Sequence, residues 1–215
     1  NSFVIGIGVV LVAVPVGLAA AIVLSQVGPH LRSVIYAVFI APILMPGVVI
    51  GLSTLIFWDR LGTFFGADYD SFFYSGMFLT IAGQVTFISA YSMLVFLSRL
   101  QRFDPTLTEA ALDMGASQTQ AFVKVLLPFM TPAILSASVL AFLASMENYN
   151  TTVFTIVAES TFTTVLAQKV RYGLDPSISA VAVIIVGITL VGAIIFENYN
   201  RLRTQKEARA AAASS

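Results

Sequence analysis

The sequence predicts an all-α polytopic membrane protein, and three observations carry that prediction. Mean hydropathy is +0.91, with 58% hydrophobic and 10% charged residues, against about 25% charged in an average soluble domain. The charges are also gathered into a few places. Residues 1–31, 33–58, 71–98, 125–146 and 176–196 contain no Asp, Glu, Lys or Arg, and each run is long enough for the roughly 20 apolar residues that a helical span needs. Finally, the apolar runs are continuous, whereas a membrane barrel shows short segments of alternating hydropathy. A soluble enzyme, a nucleic-acid-binding module and a barrel are therefore excluded.

Residue counts exclude further chemistry. There is no Cys and one His, His30, so disulfides, thiolate sites and imidazole metal clusters are out, and no metal site is expected.

Five spans are predicted, at about 3–25, 33–56, 74–97, 131–152 and 177–197, within a transmembrane domain of residues 1–200 followed by a tail at 201–215. Span one has no basic flank and is too long for a signal-peptide core. The chain opens on Asn1 almost directly into this span, which leads to the expectation of one more span ahead of it, six in all. With residue 1 outside, eight of the eleven basic residues fall on the inner side: Arg32, Arg99, Arg102, Lys124, Arg201, Arg203, Lys206 and Arg209. The positive-inside rule then makes the 98–130 loop and the C-terminal tail cytoplasmic.

Span two contains Pro42, Pro46, and Gly47 and Gly51 at GxxxG spacing. The prolines bend a helix and the glycines admit a neighbouring backbone. Pro42, Pro46 and Gly47 are thus candidates for a gate hinge, with ordinary bundle packing as the alternative.

Loop 98–130 carries the strongest pattern. Asp104 is a good helix cap and Pro105 suits the first helical position. A short helix over Thr106–Met114 then stops at Gly115 in a left-handed turn. Ser117 to Gln120 form a capping box that starts a second helix toward Pro128. Leu107, Ala110, Ala111 and Met114 make an apolar stripe that needs a bundle surface or a partner. Glu109 and Asp113, four apart, place two negative charges on one helix face, suited to basic groups on a partner or simply to solvent.

Span four ends in a polar run containing Glu147, the one acid in the interior of a predicted span, since Glu197 is the last residue of the fifth. As a continuous helix, it would place Glu147, Asn150 and Thr151 on one face. A carboxylate at this depth points to a pathway, the alternative being a group that reaches the outer interface or caps a neighbour. Gln84, ten residues into span three, is either a lining residue or packing glue. Residues 162–172 could form an amphipathic helix across the outer mouth.

Glu109-Ala110-Ala111, Gly115, and Val125-x-Leu127-Pro128 resemble the EAA signature of bacterial ABC-importer permeases, with Val at the Ile position. The likeness extends to permeases of the spermidine/putrescine type in Asn1-Ser2, in Pro42, Pro46 and Gly51, and in Thr164–Ala180 with Tyr172-Gly173 and Asp175-Pro176. It implies a type I ABC-importer (MetI-like) transmembrane domain in the bacterial inner membrane. It further implies that Glu109, Ala110, Ala111, Asp113, Gly115, Leu127 and Pro128 form a coupling element for a nucleotide-binding subunit. No GxxxxGK[ST] occurs in the chain, so ATP and Mg belong to a partner ATPase and no cofactor is expected here. The implied partners are a second permease (a paralogue, giving a heterodimer), two ATPase subunits, a solute-binding protein on the outer face, and membrane lipid. Relatives of the polyamine type often carry one or two Asp where this chain has Met146-Glu147-Asn148. An ion-gradient-driven transporter or channel is the rival. It calls for several ionisable groups within the spans or an internal repeat, and the sequence shows neither.

Overall fold

A computed structural model describes residues 1–172 together with positions 180, 183 and 184. Among these, the regular structure is entirely helical. The chain divides into two units, residues 1–165 and 166–215. The first holds α1 (Ser2–Gln26), α2 (Pro29–Leu44), α3 (Gly47–Phe64), α4 (Gly76–Leu100), α5 (Thr106–Asp113), α6 (Gln118–Ala121), α7 (Leu127–Glu147), α8 (Thr152–Thr155) and the start of α9 (Phe162–Tyr172). The described part of the second unit is the remainder of α9 and three helical positions. The expected span at 177–197, Gly173, Asp175 and Pro176, and the tail at 201–215 lie otherwise outside the described residues.

Among the described residues, four helices are long and apolar enough to cross a membrane: Ser2–Gln26, Gly47–Phe64, Gly76–Leu100, and the run Gln118–Glu147. The core is the meeting of α1, α4 and α7. α1 is apolar all round, so small residues decide which face packs. Val9, Ala13, Gly17 and Ala21 repeat every four positions and are buried. A Cβ on Gly17 would sit 2.6 Å from Ser92 Cβ and 2.7 Å from the Ser89 carbonyl oxygen, so the backbones of α1 and α4 touch. α7 buries Met130, Ala133, Ala137, Ala141 and Ser145 in the same fashion. Close approach of small residues is how helices associate in lipid, where apolar burial gives little preference.

Two expected spans differ from what the structure shows. Span two at 33–56 is not one helix. α2 ends at Leu44, Met45 is extended (φ −85, ψ 141), and α3 starts at Gly47 after Pro46. The residue before a proline is driven out of the helical region, so Pro46 breaks the helix where a bend was expected, while Pro42 stays inside α2. Span four at 131–152 begins earlier and stops sooner. The helix runs from Gln118 with one wide π-turn at Phe122–Leu126, in which the Leu127 N–H donates to the Phe122 carbonyl. This turn directly precedes Pro128, whose ring and missing N–H disfavour a regular α-turn there. The helix ends at Glu147, because Asn148 is extended (φ −68, ψ 114).

α3 reaches Phe64, so Asp59 and Arg60 also lie on a potential span and Glu147 is not alone as an acid on such a helix.

Candidate functional site

The exposed loop element is built as its residues dictate. Asp104 Oδ1 accepts from the Thr106 N–H at 3.0 Å and from its hydroxyl at 2.7 Å, which caps the first turn of α5. Those bonds hold the Asp104 carboxyl below its usual range. At the far end, the Ala116 N–H donates to the Ala111 carbonyl and the Gly115 N–H to the Leu112 carbonyl. This is the Schellman pair, and Gly115 sits at φ +87 with open space where a Cβ would stand. Ser117 and Gln120 complete a reciprocal capping box. Glu109, Ala110, Asp113, Met114 and Gly115 are exposed, and Met114 shows 83% of its surface. Ala111 is buried, so the apolar stripe divides, with Ala111 turned to the chain's own fold and Leu107, Ala110 and Met114 left uncovered. Leu127 and Pro128 belong to the start of α7 behind the wide turn, not to the exposed turn at Gly115.

Arg99, at the end of α4, forks onto the Phe129 carbonyl (3.2 Å from both Nε and Nη2) and lies 4.1 Å from the centre of the Phe129 ring. This ties the root of the loop to α7.

The second candidate region surrounds the break at Asn148. Gln84 on α4 is 1% exposed. Its Nε2 donates to Thr152 Oγ1 at 2.8 Å, and its Oε1 accepts from Ser145 Oγ at 2.5 Å. Thr152 Oγ1 donates in turn to Asn148 Oδ1 at 3.1 Å, and the Thr151 and Thr152 amides donate to the same oxygen. Asn148 thus caps α8 while Gln84 bolts α8 to α4 and α7. Thr151 is fully buried, and its hydroxyl donates to the Gly47 carbonyl at 3.2 Å. Cβ atoms on Gly47 and Gly51 would meet Asn150 Cβ at 2.9 Å and the Thr151 carbonyl oxygen at 2.8 Å. The GxxxG pair therefore packs α3 onto residues 150–154.

One expectation changes here. Glu147, Asn150 and Thr151 do not share a helix face, because the helix ends at Glu147. Gln84 and Thr151 have their side chains engaged in internal hydrogen bonds, and Thr151 also lines the pocket at the helix break described below. Glu147 and Asn150 are exposed.

Four clefts then follow one another along a single face of α4, between α2 and α7. A groove of about 380 Å3 holds Glu147, Tyr91, Ser92 and Leu140. A pocket of about 180 Å3 at the helix break is lined by Pro42, Gly47, Phe87, Tyr91, Asn148 and Asn150. Toward the other end of α4 lie clefts of about 450 Å3 with Arg32, Tyr36 and Gln101, and of about 260 Å3 with Arg99, Arg102 and Ser136. Neighbouring clefts share Tyr91, Leu94, Val95 and Ser98, which repeat at helical spacing on one face. The trough is acidic at its Glu147 end and basic at its Arg32 end. Tyr91 joins two clefts, and its sequence neighbours gave no sign of this, since one aromatic in an apolar run reads as core.

A trough along a membrane helix, a polar helix break at the end of α7 and a separate exposed turn at Gly115 fit a membrane transport component. The family described as "Binding-protein-dependent transport system inner membrane component" matches residues 13–205, and the chain belongs to that family. It is an integral inner-membrane permease subunit and not an enzyme. Among relatives, the putrescine transport system permease protein PotI of Escherichia coli (strain K12) is 35% identical over 194 residues, covering 89% of this chain and 67% of that protein. The spermidine/putrescine transport system permease protein PotC of the same strain is 28% identical over 186 residues, covering 82% and 62%. A PotC homolog of Mycoplasma genitalium is 23% identical over 209 residues, covering 96% and 70%.

Proposed function

We propose that this permease subunit forms half of the translocation path of an ATP-driven importer for a small organic cation of the putrescine or spermidine type. A solute-binding protein delivers the cation on the outer face. A second, paralogous permease supplies the other half of the path, and two ATPase subunits dock on the cytoplasmic loop. The observation that carries the reading is the trough along α4, with an exposed carboxylate, Glu147, in one of its clefts. The names of the relatives support the substrate class.

Orientation follows from the basic residues: the Arg32 end and the 98–130 loop are cytoplasmic. A cation entering from outside then meets Glu147 first and the Arg32, Arg99 and Arg102 end last. Attraction draws it in, and the basic inner end discourages it from lingering. Exposed Glu109 and Asp113 lie on the helix that leads into the Gly115 turn and suit basic groups on an ATPase.

Reconstitution of the full complex tests this reading. Uptake of labelled putrescine should require ATP on the loop side and the binding protein on the other. Uptake that persists without ATP under an ion gradient would replace the reading with a secondary transporter.

A further inference from the structure

We propose that Tyr91 determines substrate specificity in the path: its ring face receives an ammonium group of the cation at the junction of the Glu147 groove and the Asn150 pocket. The proposal rests on the polyamine reading above and deepens it.

Position is the first support. Tyr91 is the residue that these two cavities have in common. A solute that moves between them passes beside its ring. In the middle of α4 the exposed positions are Thr86, Tyr91 and Leu94. Ile88 and Met93 are completely buried and Ser92 nearly so, yet Tyr91 is 44% exposed. Phe87, one turn away, meets it edge to face (6.3 Å between centres, 89°), and Tyr91 keeps its exposed surface beside it.

The hydroxyl is the second support. It has no hydrogen-bond partner among the described residues. Tyr91 lies 15 residues from Gly76 and 9 from Leu100, about 22 Å and about 14 Å along the helix. Neither end is within reach of a phenol, so the group cannot extend to the interface as tyrosines on span ends do. A tyrosine so placed against hydrocarbon would leave a polar group unsatisfied. Facing a wet passage, it would not.

Substrate chemistry is the third support. A polyamine presents two or more ammonium groups joined by methylenes, and Glu147 is the sole acid lining the two cavities. One ammonium can meet that carboxylate. Leu94, Leu140 and Ala144 in the same groove suit the methylenes. A second ammonium needs attraction from something else, and an aromatic face provides it without a formal charge. This also favours movement, because a passage must bind weakly enough to release. A second carboxylate would hold a dication more firmly.

The test uses the complete reconstituted complex with its binding protein and ATPase, and labelled putrescine. Tyr91→Leu should lower kcat/KM per assembled complex about tenfold, the scale of a desolvated cation–aromatic contact, with putrescine affinity of the binding protein unchanged. Tyr91→Phe keeps the ring face and should stay within about threefold of wild type. Phenylalanine carrying one, two and three ring fluorines at position 91 has nearly constant shape but a progressively weaker face. Log kcat/KM should fall in step with fluorination, a trend that a packing role does not produce, and this series decides the matter if Tyr91→Leu fails to assemble. A flat fluorine series, or Tyr91→Phe as damaged as Tyr91→Leu, overturns the proposal while wild-type putrescine uptake keeps the polyamine reading intact. No wild-type putrescine uptake overturns both.

Discussion

Replacing Gln84 separates a structural bolt from a lining residue. Gln84→Leu keeps the volume and removes both side-chain bonds, one to Thr152 and one from Ser145. Side-chain hydrogen bonds inside membrane proteins average about 0.6 and reach about 1.7 kcal/mol, so the pair is worth about 1–3 kcal/mol. The lower half of that range applies, because both orphaned hydroxyls have somewhere to go. Thr152 keeps its bond to Asn148, and a serine within a helix can turn to the carbonyl four residues back. Gln84→Ala loses the same bonds and leaves a cavity at a site only 1% exposed, which raises the loss to about 2–4 kcal/mol. The assay pairs the unfolding midpoint of the detergent-solubilised complex with uptake per assembled complex in vesicles. Midpoints should fall in the order wild type, Leu, Ala, while uptake per assembled complex stays within about twofold. Unchanged midpoints with a lost rate would refute the structural assignment and return Gln84 to the path.

Other expectations follow from single residues. Gly115→Arg should assemble, since open space surrounds the site and the φ of +87 costs a side chain only about 1 kcal/mol. It should nevertheless uncouple the complex, so substrate-stimulated ATPase activity at the wild-type level would count against an ATPase-facing turn. Glu147→Gln should slow uptake about fivefold if the carboxylate contributes about 1 kcal/mol in the rate-limiting state, a quarter of the roughly 4 kcal/mol for a charge pair at 4 Å in an effective dielectric of 20; wild-type uptake with reduced assembly would make Glu147 structural. The Asp104 carboxyl is held below its ordinary 3.8 by Thr106. The cap's contribution is therefore present above pH 3.8 and is lost only as pH falls through the lower folded value. Amide protection of Thr106, corrected for intrinsic exchange, should be flat from pH 7 to 5 and decline in more acid solution, and a decline already at pH 6 would contradict the cap.

The sequence by itself determined the elements whose causes are local. Charge-free runs marked α1 and α4 because a membrane span is a matter of length and composition. Asp104 and Gly115 fixed the two ends of the first loop helix and the Ser117–Gln120 box the start of the second, since caps are read within four residues of chain. Tertiary structure decided what depends on neighbours far along the chain. The Pro46 break could be read as a bend until Gly47 and Gly51 were seen pressed on residues 150–154, which need α3 as a separate segment. The end of α7 at Glu147 followed from Asn148, whose side chain leaves the helix to cap α8, and α8 is held by Gln84 sixty-eight residues away from Thr152. Tyr91 became distinct from its apolar neighbours only when α2 and α7 enclosed its face of α4. Periodicity reports which residues share a side of one helix, whereas the packing of several helices decides which side faces a cavity.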